Sequence, residues 1–166
     1  MIQLWINSQR QKMSKSSNGW MASKVRSEIH IDSFLIPGTQ IKLTCAKSVA
    51  PLLIGFAAEF HELIENIDGG SLDDWGYCYR DIRGNVGKLS NHSSGTAIDL
   101  NATKHPLGKV GTFPNEKVPM IRALAKKYGL IWGGDYRNRK DEMHFEISLP
   151  PAKVAALIEK LEKENG

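Results

Sequence analysis

"SNHSSGTAIDLN", Ser90 to Asn101, sets a histidine, His92, seven residues ahead of an aspartate, Asp99, with Gly95 and small residues between them. Asp99 falls inside "AIDL", an apolar run that reads as a strand, and a carboxylate placed there needs a partner or a metal because burying an uncompensated charge is costly. An odd separation of seven puts the two side chains on opposite faces of one straight strand. "SSG" supplies the bend: Gly95 accepts backbone angles closed to other residues, and the serines leave room for a turn. The stretch predicts a loop histidine and a strand aspartate that meet at one point, around something the rest of the chain must complete.

"DEMHFEIS", Asp141 to Ser148, offers the completion. In a strand starting near Met143, Phe145 and Ile147 face a core while His144 and Glu146 face the other side. A catalytic zinc takes about three protein ligands, mostly histidine and carboxylate, and keeps a position for water. His92, Asp99 and His144 would supply that set, and Asp141, at a turn three residues before His144, is a candidate general base. Glu146 is either an acceptor for the second N–H of a ligand histidine or an exposed strand carboxylate. His61 reads as an ordinary helix residue, and His30 and His105, with no telling neighbours, as surface or loop residues.

Around these motifs the periodicity alternates. "SVAPLLIGFAAEFHELIENI", Ser48 to Ile67, places Leu52, Phe56, Phe60 and Ile67 at helical spacing and is stopped by "DGG". "NEKVPMIRALAKKYGL" predicts a second helix ended by Gly129, and "PPAKVAALIEKLEKE" a third that proline opens. "WGYCYRDIRG", Trp75 to Gly84, reads as a strand running into a loop, and the first 47 residues as turns and short extended pieces. Helices alternating with short strands, without regular βαβ units, predict an α+β fold on a small antiparallel sheet flanked by helices.

With 166 residues, 41% of them hydrophobic, the chain suits one domain, 1–166, on which 1–47 pack as an N-terminal extension. A net charge of +4 and a pI near 9.1 favour an anionic polymer without choosing between nucleic acid and bacterial cell wall. Neither a glycine-rich phosphate loop nor a dense arginine and lysine stripe is present, which argues against a nucleic-acid partner. Cys45 and Cys78 lie outside any CxxC pattern and read as free thiols. "MIQLWINSQRQKM" lacks a signal-peptide pattern and no run is apolar enough to span a bilayer, so the expectation is cytoplasmic synthesis without a signal peptide and no membrane insertion.

"SNHSSGTAID", "WGGDY" and "DEMHFE", in that order, resemble the signature of the M15 metallopeptidases, the zinc D,D-peptidases and L-alanyl-D-glutamate peptidases. The resemblance runs from about Tyr77 to Ile147. It implies a Hedgehog/D,D-peptidase-like fold, one zinc ion per chain on His92, Asp99 and His144, and Asp141 as the acidic base. Arg80, in "YRDIRG", matches the arginine that this family places upstream of its first zinc motif to hold the substrate carbonyl, with Arg83 as the other candidate. Ser90 would orient His92 or cap its turn, and Trp132 and Asp135 would line the cleft. The implied substrate is bacterial peptidoglycan, cut by a monomer between L-alanine and D-glutamate as in a phage or prophage endolysin that reaches the wall after holin-dependent release. The alternatives are a D-alanyl-D-alanine carboxypeptidase or dipeptidase, and a non-catalytic zinc-bearing wall-binding module, against which Asp141 argues.

Overall fold

The computed structural model describes residues 14–166, so the stretch read as lacking a signal peptide, Met1 to Met13, lies outside the described residues. Ser14–Lys15 (β1) pairs with Met21–Ala22 (β2), and Ile31–Leu35 (β3) with Lys42–Ala46 (β4), both antiparallel, with a 3-10 turn at Arg26–Ile29 between the hairpins. These are the short extended pieces expected there. A helix, Ala50–Leu63 (α1), follows with proline in its first turn, where a missing N–H breaks no intrahelical bond. It ends before the Asp68–Gly70 turn expected to stop it. The His61 ring accepts the Ile67 N–H at 3.2 Å, and the chain folds back to bury Ile67.

The central sheet is antiparallel in the order β7, β9, β8, where β7 is Ala97–Asp99, β8 is Leu130–Trp132 and β9 is His144–Ile147. Alternation along β9 turns Phe145 and Ile147 into the core, both fully buried, and leaves His144 and Glu146 on the opposite face. Phe145 packs on α1, with ring centroids 4.5 Å from Phe56 and 5.7 Å from Phe60. Each such buried ring stabilises the fold by roughly 2–3 kcal/mol. Lys117–Lys127 (α2) buries Ile121, Leu124 and Ala125 and is followed by Gly129, whose φ of +67° carries the chain out of the helix. Pro151–Asn165 (α3) buries Val154 and Leu161. The result is an α+β fold: small antiparallel sheets with three helices among the described residues.

"WGYCYRDIRG" does not form the continuous strand expected of it. Only Asp81–Ile82 (β5), paired with Asn85–Leu89 (β6), is regular. Upstream, the backbone serves several partners in turn: Trp75 exchanges hydrogen bonds with Asp99, Tyr77 N–H donates to the Thr44 carbonyl and Cys78 N–H to that of His92. The segment thus threads between β4 and β7 instead of joining one sheet.

Candidate metal centre

His92 stands on a single 3-10 turn, Asn91–Ser94, entirely buried. The Ser90 hydroxyl accepts the His92 N–H and caps the turn, and Gly95, at φ +67°, closes it. No side chain fits at Gly95: a Cβ would lie 2.3 Å from Ile31 Cδ1 and 2.7 Å from the Ala46 nitrogen. The bend expected from "SSG" is therefore a 3-10 turn docked on β3 and β4. Asp99 and His144 stand opposite each other in the register of β7 and β9. Turn and sheet bring His92 Nε2, Asp99 Oδ1 and His144 Nδ1 together, at 3.2 Å from His92 to Asp99, 2.9 Å from His144 to Asp99 and 3.2 Å between the imidazoles.

The outer contacts decide what these atoms can do. His92 Nδ1 lies 2.8 Å from the Gly76 carbonyl, which can only accept, so that nitrogen carries the hydrogen. His144 Nε2 lies 2.9 Å from the Glu146 carboxylate, which accepts in the same way. With the second nitrogen of each ring so engaged, Nε2 of His92, Nδ1 of His144 and Asp99 Oδ1 are the atoms that face one another. Their ligand atoms all lie within 4.8 Å of one another, so they could hold one metal ion, and two imidazoles with a carboxylate are a zinc-type donor set. Burial alone would raise the Asp99 carboxyl, but His92 and His144 outweigh it and hold Asp99 ionised. Burial likewise works against charge on His144, yet Asp99 and Glu146 raise its affinity for a proton. The cluster is built to hold positive charge.

Asp141 lies beside this group in a cleft of about 350 Å³. Its Oδ1 is buried without a hydrogen-bond partner among the described residues. Burial first, and then the charge of Asp99, push its carboxyl up, against the pull of His144, His92 and Arg83. The Gly133 carbonyl accepts the Asp141 N–H at 3.0 Å, and Gly133 is packed so closely that a Cβ there would lie 2.3 Å from the Asp141 carbonyl oxygen.

Arg80 and Arg83 both line the cleft, as do Ser90 and Glu146. Arg80 Nη1 also donates to the Asp81 carbonyl at 3.3 Å. Trp132 and Asp135 are not among the residues that line this cleft. Trp132 is a core residue whose indole N–H donates to the Glu142 carbonyl at 2.8 Å, bracing the residue after Asp141. Asp135 forms a surface ion pair with Arg122 at 2.8 Å. His105 lies in a loop, one of the two alternatives read for it, but it is buried there, stacked on Phe113 and 2.6 Å from both Glu65 and Thr112. Tyr136, Arg139, Asn91 and Trp75 line the cleft although no spacing singled them out. Tyr136 and Arg139 precede Asp141 within "DYRNRKD", a basic run with one aromatic that could have pointed to them.

Among protein families, residues 83–147 match the peptidase M15 model described as D-alanyl-D-alanine carboxypeptidase. Comparison with curated proteins and with solved structures found no match. The matched segment contains Arg83, His92, Asp99, Asp141 and His144, and it supports the M15 peptidase family for the part of the chain that carries this centre.

Proposed function

We propose that this chain is a zinc-dependent peptidoglycan peptidase in which His92, Asp99 and His144 hold one metal ion and Asp141 moves the proton. The observation that carries the reading is the convergence of three ligand atoms beside a buried carboxylate oxygen that has no partner among the described residues. Zinc held by these donors supplies Lewis acidity, polarising the scissile carbonyl and bringing the pKa of water to about 7. Asp141 takes the proton of the attacking water and returns it to the leaving amine, a double task suited to a carboxyl whose proton affinity is raised. Arg80 or Arg83 holds the carbonyl oxygen as it gains charge. Arg83 acts on the charge of Asp141, whereas part of the Arg80 guanidinium is engaged by Asp81.

Arg80, Arg83 and Arg139 line the cleft, and none forms an ion pair with a carboxylate among the described residues. Free guanidiniums on the walls of a cleft suit a substrate that brings its own carboxylates, as the D-glutamate of a peptidoglycan stem peptide does. The bond we assign is that between L-alanine and D-glutamate, cut by a phage or prophage endolysin that reaches the wall through holin-dependent release. No helix among the described residues is long and apolar enough to cross a membrane. The description of the matched family favours a second reading, D-alanyl-D-alanine carboxypeptidase.

Digestion of purified cell walls, with and without a chelator, followed by mass spectrometry of the products, tests both. A new N-terminal D-glutamate supports the endopeptidase, and free D-alanine supports the carboxypeptidase. Walls left intact whatever metal is supplied overturn the peptidase reading.

A further inference from the structure

Outside the three donors lies a chain of hydrogen bonds whose direction is fixed at every link. It starts at the turn between β1 and β2, where the Asn18 backbone N–H lies 2.8 Å from Asn91 Oδ1. An N–H can only donate, so the Asn91 oxygen must face it, and the Asn91 amide nitrogen must face the other way. There Nδ2 lies 2.6 Å from Glu146 Oε2, and the same oxygen lies 2.9 Å from His144 Nε2. That Glu146 oxygen therefore accepts twice, from Asn91 and from His144. Asn91 is buried, and the Asn18 side chain pins the turn in place by donating to Thr96 Oγ1 at 2.9 Å and to the Ile147 carbonyl at 3.1 Å.

We infer that Asn91 is a positioning residue for the metal centre: through Glu146 it fixes His144 with the hydrogen on Nε2 and the lone pair of Nδ1 turned toward His92 and Asp99. The N-terminal hairpin is thereby part of the centre, since the backbone N–H that starts the relay belongs to it. The inference rests on the metal reading proposed above, but not on any particular peptide being cut. A residue that only packed would leave metal affinity alone, whereas outer partners of ligand histidines are worth about 10–100-fold in affinity.

The test measures zinc binding to metal-free protein by competition with a chromophoric chelator, together with imidazole nitrogen NMR of the zinc-loaded protein. In Asn91→Asp the Asn18 N–H keeps an acceptor, but Glu146 loses a donor and meets a second carboxylate, and zinc affinity falls about tenfold or more. Glu146→Gln, which can present an oxygen at the same place, keeps most of the affinity, and Glu146→Ala does not. Affinity within twofold of wild type in a folded Asn91→Asp protein overturns the inference. Should that variant not fold, the wild-type spectrum decides: zinc on His144 Nδ1 with a hydrogen on Nε2 supports the relay, and zinc on Nε2 overturns it. A protein that binds zinc in this way but leaves cell walls intact overturns the peptidase reading alone, and one that binds no zinc overturns the metal reading.

Discussion

Asp141 is one carboxylate among several in this chain, and what sets it apart is a buried oxygen, without a partner among the described residues, beside a cluster of metal-type donors. Replacing it should separate binding from turnover. Asp141→Ala is expected to keep zinc, measured by metal content after dialysis, and to lose about 10²–10⁴-fold in kcat on wall peptides. His144→Ala is expected to lose both. Asp141→Ala with near wild-type turnover would show that the proton goes elsewhere. The two arginines divide in the same way: whichever holds the developing oxyanion loses about 10²–10³-fold in kcat on substitution by alanine, and the other changes mainly KM. Residue chemistry was legible in "SNHSSGTAID" and "DEMHFE" because metal ligation admits few side-chain types. Cleft lining was not, because tryptophan and aspartate serve equally in a core or an ion pair, as Trp132 and Asp135 do here.

At the level of the element, the turn that carries His92 depends on a position where no side chain fits. Gly95→Ala places a Cβ against Ile31 and the Ala46 nitrogen at a φ of +67°. The left-handed backbone and the overpacking together should cost about 2–5 kcal/mol, read as a lower urea midpoint. A second element, the loop from Asn101 to Pro114, is tied down by His105. Burial would raise the Glu65 carboxyl, but hydrogen bonds from His105 and Lys104 outweigh it and bring it from 4.5 down to about 2. A carboxyl depressed by folding adds stability above its unfolded pKa, and this contribution disappears as the pH falls from 4.5 toward 2. Glu65→Gln should therefore destabilise the protein by about 1–3 kcal/mol at neutral pH, with the difference from wild type closing over that acid range. An equal difference at pH 7 and pH 2 would rule out the ion pair as its source. The helices were legible from their apolar spacing. The path of "WGYCYRDIRG" was not, because its hydrogen-bond partners lie in β4, in β7 and on the His92 turn, none of them local.

For the whole molecule, the proposed metal donors come from two separate parts of the chain, so zinc should act as a cross-link present only in the native state. At free zinc about 1,000-fold above Kd the gain is about 4 kcal/mol. In a chain of this size that raises Tm by about 8–16 °C, reversed by a chelator and followed by calorimetry. No shift with zinc would mean that the centre holds no metal. The sequence by itself determined the fold class, the three helices, the inward face of Phe145 and Ile147, and the residue types able to bind a metal, because periodicity and ligand chemistry are written in local spacing. Only the tertiary structure decided that His92 Nε2, Asp99 Oδ1 and His144 Nδ1 lie about 3 Å apart, that Asn91 and Glu146 stand behind His144, and that His105 is buried. These are contacts between residues distant in the chain, set by the register of β7 on β9 and by the docking of the His92 turn on β3 and β4, and no local pattern encodes them. The opening motif could announce a histidine and an aspartate that meet; the sheet decided what stands around them.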